Sequence, residues 1–116
     1  MKALFAVILK PELLSSILLE FNNQGIKGAT VFESMGMGYL MAESAPIFAR
    51  LSQVAMGSAA PSRTLMAVIE DQQVDLAVKI IEDVVGDLTQ PNTGIVFTVP
   101  VDFIRGLRDA EGNYAV

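Results

Sequence analysis

Apolar residues recur along this chain in two rhythms. Ala3-Leu4-Phe5-Ala6-Val7-Ile8-Leu9 is an unbroken apolar run with aromatic and β-branched members, closed by Pro11. It predicts a strand buried on both faces. From Pro11 the spacing changes: Leu14, Ile17, Leu18 and Phe21 recur at helical intervals, with Pro11 in the first turn and Glu12 at the positive end. Asn22-Asn23-Gln24-Gly25 stops that helix. A second strand is predicted from Ala29 to Met35, where Thr30, Phe32 and Ser34 alternate with Val31, Glu33 and Met35. Thr64 to Ile69 reads as a third strand. Asp71 is placed to cap the next helix, whose buried face is Val74, Ala77, Val78, Ile81, Val84 and Val85. Asp75 and Lys79 form an i,i+4 pair in the favoured order, and Gly86 ends the helix. Ile95 to Val99 is a fourth strand, with Pro100 at its end. Val101 to Arg108 reads as one helical turn, and Asp109 to Val116 as a mobile end.

Between the second and third strands the rhythm disappears. Gly36 to about Arg63 holds glycines at 36, 38 and 57 and prolines at 46 and 61. Loops of that length in compact domains usually carry function. Its tip, Pro46-Ile47-Phe48-Ala49-Arg50-Leu51, is apolar enough to dock on another surface. Met35, Met37, Met41 and Met56 gather around it, and adaptable methionine side chains suit either a partner surface or packing between copies. The order β-α-β, long loop, β-α-β is that of a ferredoxin-like α+β domain. It has a four-stranded antiparallel sheet with two helices on one face. The other face needs a cover, which three copies could give one another.

Composition narrows the function. The 116 residues fit one domain, residues 1–116, and 52% of them are hydrophobic. The mean hydropathy of +0.47 leaves apolar side chains that subunit interfaces would absorb. No apolar run reaches the roughly 18 residues that span a bilayer, so no direct membrane insertion is expected. The apolar start reads as a strand rather than a signal peptide. A net charge of −5 without a basic patch argues against nucleic acid. There is neither Cys nor His, which removes thiolate chemistry and the commonest general base. Glu33 and Glu43 lack the spacing that would specify a cation site. An enzyme would rest on Tyr39, Glu33 and scattered arginines, which no motif joins.

One stretch is more specific. Gly25-Ile26-Lys27-Gly28-Ala29-Thr30-Val31-Phe32-Glu33-Ser34-Met35-Gly36-Met37-Gly38 resembles the second-strand signature of the PII signalling superfamily, G-I-x-G-x-T-V-x-E-x-x-G-x-G. Lys10-Pro11 at the end of the first strand matches as well. Thr93-Gly94-Ile95-Val96-Phe97-Thr98-Val99-Pro100-Val101 resembles the D-G-K-I-F-V-x-P-V run that closes that family's nucleotide loop. The resemblance covers about residues 2 to 101. It implies a cytoplasmic, non-enzymatic homotrimer for signal transduction, in families of this kind tied to nitrogen regulation. Nucleotide clefts would lie between subunits. The T-loop, about residues 36–63, would engage a target protein such as a membrane transporter or a metabolic enzyme through Ile47, Phe48, Arg50 and Leu51. The B-loop would be about residues 86–94 and the C-terminal tail about 101–116. Ligand residues implied by the resemblance are Thr30, Gly36, Met37, Gly38, Gly94, Arg105 and Arg108.

The chain departs from that pattern where phosphate would bind. The phosphate-binding Lys is replaced by Ile95, the Arg after G-x-G by Tyr39, and the Gln beyond it by Leu40. Two B-loop glycines are lost, and Pro91 removes a backbone donor. Arg105 and Arg108 match the C-terminal R-x-R only loosely, and Arg50 and Arg63 are candidate replacements. Each lost charge-assisted contact is worth about 1.5–3 kcal/mol, so losing two would weaken ATP by roughly two to four powers of ten. The cofactor is therefore open: an adenine nucleotide with less phosphate, another ligand, or none. The T-loop also lacks the family's usual tyrosine target for uridylylation. A ligand-free assembly trimer and, further off, a small ferredoxin-like enzyme are the alternatives.

Overall fold

The computed structural model describes residues 1–41, 51, 61–108 and 114. Its strands are β1 (Lys2–Ile8), β2 (Ala29–Ser34), β3 (Ser62–Ile69) and β4 (Gly94–Pro100). The helices are α1 (Leu14–Asn23), the short α2 (Met37–Met41) and α3 (Val74–Val85); 3₁₀ turns at Pro11–Leu13 and Asp71–Gln73 lead into α1 and α3. The four strands form one antiparallel sheet in the order β2-β3-β1-β4. This is the ferredoxin-like α+β arrangement that the element order predicts. Pro100 lies at the end of an edge strand, where its missing donor is tolerated.

Register explains the core. Lys2 pairs with Ile69 and Ile8 with Arg63, so Leu4, Ala6 and Ile8 share one face with Leu65, Ala67 and Ile69. All six are buried, with Ile17 and Phe21 of α1, Ile26, and Ala77, Ile80 and Ile81 of α3. Both long helices therefore cover this face. On the opposite face lie Ala3, Phe5 and Val7; Thr64, Met66 and Val68; Thr30 and Phe32; and Ile95, Phe97 and Val99. Phe5 and Phe97 stack there at 5.1 Å. Phe32, Ile95, Phe97 and Val99 remain 43–56% exposed.

Several expectations are corrected. β1 is not buried on both faces of the single chain: its even positions from Leu4 are fully buried and its odd ones half-buried. Its apolar run is continuous because the second face is apolar too, and among the described residues that face is covered only in part. Leu9 and Met35 fall outside the strands, and β3 starts two residues before Thr64. The long loop opens with α2 rather than irregular backbone. Ile80, not Val78, joins the core of α3. The residue that caps the 3₁₀ turn before α3 is Glu70, in a reciprocal box with Gln73, not Asp71. Lys79 pairs with Asp83 at 2.8 Å rather than with Asp75. Val101 to Arg108 is not helical.

Asp71 instead receives the N-terminal amine of Met1 at 3.1 Å, with Lys2 Nζ at 3.6 Å. The hydrogen bond from that amine, then the charge of Lys2, holds its carboxyl below its ordinary value of 3.8. A carboxyl depressed on folding stabilises the fold above its unfolded pKa and loses that contribution as pH falls through the folded value. Asp71→Asn should therefore leave the melting temperature less sensitive to acid below about pH 4 than in the parent chain. Superimposable acid limbs in a pH series of melts would refute this.

Candidate functional site

Apart from Thr30, the ligand residues expected from the sequence sort to the two ends of the sheet. At one end, Gly94 faces Ile8, Ile8 faces Arg63, and Arg63 faces Glu33. Gly36, Met37 and Gly38 follow immediately, at the start of α2. At the other end Lys2 faces Pro100 and Ile69; β2 begins further in, so that Thr30 faces Met66 in mid-sheet, level with Phe5. Arg105 and Arg108 lie beyond Pro100, after Val101, whose N–H donates to the carbonyl of Met1. Six residue steps along β1 separate the ends, about 20 Å at the usual strand rise. One chain does not gather these residues around one small ligand.

The loop end is pinned by hydroxyls. Ser34 closes β2 and Ser62 opens β3. Their Oγ atoms are 2.8 Å apart, Ser62 Oγ donates to the Ser34 carbonyl, and Thr64 Oγ1 donates to Ser34 Oγ. These bonds fasten the stem from which the long loop leaves. On the helix-side face Arg63 reaches Glu33 at 3.6 Å and the Ser62 carbonyl at 3.2 Å. Gly94 has φ +148°, and a Cβ there would collide with the carbonyl oxygen of Val7. That position admits glycine alone. Gly36 and Gly38 differ: a Cβ at either meets nothing within 4 Å and neither has a left-handed φ. Their conformation and surroundings thus demand no glycine.

The B-loop is closed on itself. Asp87 accepts from the N–H and the hydroxyl of Thr89, at 2.8 and 2.7 Å, and these bonds lower its pKa. Thr93 Oγ1 donates to the Gln90 carbonyl. Ile95, first of the β4 side chains on the open face, is more than half exposed, and Leu9, Met37, Tyr39 and Met41 are exposed as well.

The far end holds a cavity of about 260 Å³ between the α1–β2 turn, the end of β3 and the segment after β4. Lys27, Gly28, Glu70, Gln73 and Arg108 are among its walls. Lys27 Nζ donates to Asn22 Oδ1 at 3.2 Å. Arg108 donates to the Tyr114 hydroxyl at 3.0 Å and lies 4.8 Å over its ring. Arg105 does not join this wall; it lies over Phe103 at 5.8 Å. Sequence reasoning passed over Lys27. Its place in the glycine signature, one residue before Gly28, is the signal that could have found it.

Of the target-binding residues, Ile47, Phe48 and Arg50 lie outside the described residues, as do Glu43 and Met56. Leu51 is exposed. Among the described residues no group of three carboxylates or other ligating side chains could hold a metal ion, and no helix is long and apolar enough to cross a membrane.

The family model of nitrogen regulatory protein P-II matches residues 1–111. The chain belongs to the P-II family. The match spans the sheet, the loop excursion and the segment bearing Arg105 and Arg108. P-II proteins are regulatory and act on protein targets, and the chain's four-stranded antiparallel sheet with its helices fits the family's fold. No curated protein matches the sequence.

Proposed function

We propose that this P-II protein is a homotrimeric, non-enzymatic regulator in the cytoplasm, formed of one domain over residues 1–116. It binds a small ligand at clefts between subunits and regulates a target protein through the loop at 36–63. The observation that carries this reading is the division of Gly28 and Arg108 from Gly36–Gly38 and Gly94 by the length of a sheet, with Thr30 between them, level with Phe5. The loop end of one copy beside the far end of the next would restore one complete cleft per neighbour pair. The bare apolar face, with Phe32, Ile95, Phe97 and Val99, supports the same assembly: its burial gains about 25 cal/mol per Å² of apolar surface. The ligand would bias the loop through its pinned stem at Ser34 and Ser62. Exposed Met37, Met41 and Leu51 suit an apolar target surface, on a membrane transporter or a metabolic enzyme.

Native mass spectrometry of the purified chain tests this. The expected spectrum is a trimer of 12.4 kDa subunits carrying a small molecule. A single-subunit mass at micromolar concentration would sink it. A second reading, a trimer without ligand, draws on the exposed Ile95 where the family signature has lysine. A trimer without any added mass, silent in calorimetry against ATP, ADP, AMP and cyclic nucleotides, would favour it.

A further inference from the structure

We infer that the cleft takes a ligand with a single anionic head on an apolar or aromatic body, rather than a polyphosphate. This deepens the proposed function and rests on the cleft's forming between copies. The cavity at the far end is walled by Lys27 and Arg108 against one carboxylate, Glu70, which leaves one net positive charge. The Met1 amine also borders it and is matched by Asp71 at 3.1 Å. Arg108 has donors to spare: it spends one on Tyr114, and a guanidinium carries five in a fork that fits a carboxylate or a phosphate. One anionic head would neutralise this site.

Among its described residues the loop end offers one exposed lysine in place of the lysine and arginine that share the far cavity's wall. Of its described cations, Lys10 is exposed and Arg63 already reaches Glu33. The apolar and aromatic side chains at this end of the sheet, Leu9 after β1, Ile95 on β4 and Met37 and Tyr39 after β2, are all partly open to solvent. Further phosphates laid against these side chains would lose water without gaining a partner, which is unfavourable for charged oxygen. An apolar or aromatic body placed there would instead remove apolar surface from water. The cavity's 260 Å³ is below the range of about 300–1,000 Å³ usual for a whole small-molecule site. It fits a head group whose body continues onto the neighbouring copy.

Titration calorimetry on the full chain, with native mass spectra of the same samples, tests this with AMP, decanoate and ATP. AMP and decanoate share the single head but differ in body, aromatic against aliphatic. The better of the two should bind at least about tenfold more tightly than ATP, and Arg108→Gln should weaken it by about tenfold or more. Ile95→Lys should shift the preference back toward ATP. ATP binding as tightly as the better probe, indifference to Arg108→Gln, or heat from neither probe would overturn the inference. A trimer that binds neither probe fails this inference alone. A single-subunit mass fails the assembly reading, and this inference with it.

Discussion

Gly94→Ala is expected to cost about 2–4 kcal/mol of stability, a fall of roughly 10–20 °C in melting temperature for a domain of this size. Two effects add. The residue sits at φ +148°, where an L side chain is strained, and its Cβ would strike the carbonyl oxygen of Val7 on the neighbouring strand. Relief requires β4 to move away from β1, along which the whole Gly94–Pro100 strand is hydrogen bonded. β4 also carries Val96, which packs on the core, and Phe97, which stacks on Phe5. Gly38→Ala is the matched control: its Cβ enters open space in α2, and the melting temperature should change little. Equal effects from the two substitutions would show that the β1–β4 contact is looser than described.

Phe97→Asp should act on assembly rather than on folding. The side chain is on the face away from the helices and 47% exposed in the single chain, so a carboxylate there stays solvated in a monomer. In a trimer closed through that face the same carboxylate would be buried without a partner, which costs several kcal/mol. Large side chains central to an interface are worth about 2 kcal/mol or more each, so association should weaken at least about thirtyfold. Sedimentation velocity would show a folded monomer in place of the trimer. An unchanged sedimentation coefficient would move the interface elsewhere on the molecule.

Much of the fold was legible because backbone periodicity is local. Leu14, Ile17, Leu18 and Phe21 mark one helix face whatever they pack against, and Gly25 and Gly86 punctuate as expected. Legibility failed where a choice depended on geometry a few residues away. Lys79 has an aspartate four residues on either side, and only the structure selects Asp83. Asp71 looked like a cap by residue type, but Glu70 is one position earlier with Gln73 three residues beyond it, which is the spacing the box requires. β1 read as doubly buried because a continuous apolar run records two apolar faces and not what covers the second.

The site was legible as a set of residues but not as a place. The glycine signature pointed to Thr30, Gly36, Gly38 and Gly94, yet nothing local says that register puts Gly28 and Arg108 at one end and Gly94 at the other. Lys27 and Arg108 are far apart in sequence and meet only because the segment after β4 runs back past the α1–β2 turn.

The meeting of opposite sheet ends from different copies can be tested by covalent capture. The chain contains no cysteine, and Gly28 and Gly38 each have open space for a side chain. A Gly28→Cys, Gly38→Cys variant treated with a short bismaleimide, too short to span the roughly 20 Å between these ends within one chain, should give covalent dimers and trimers on a denaturing gel. Each single variant alone should remain monomeric, and an equal mixture of the two should yield dimers. Fully modified thiols with only single chains on the gel would contradict a cleft shared between neighbours.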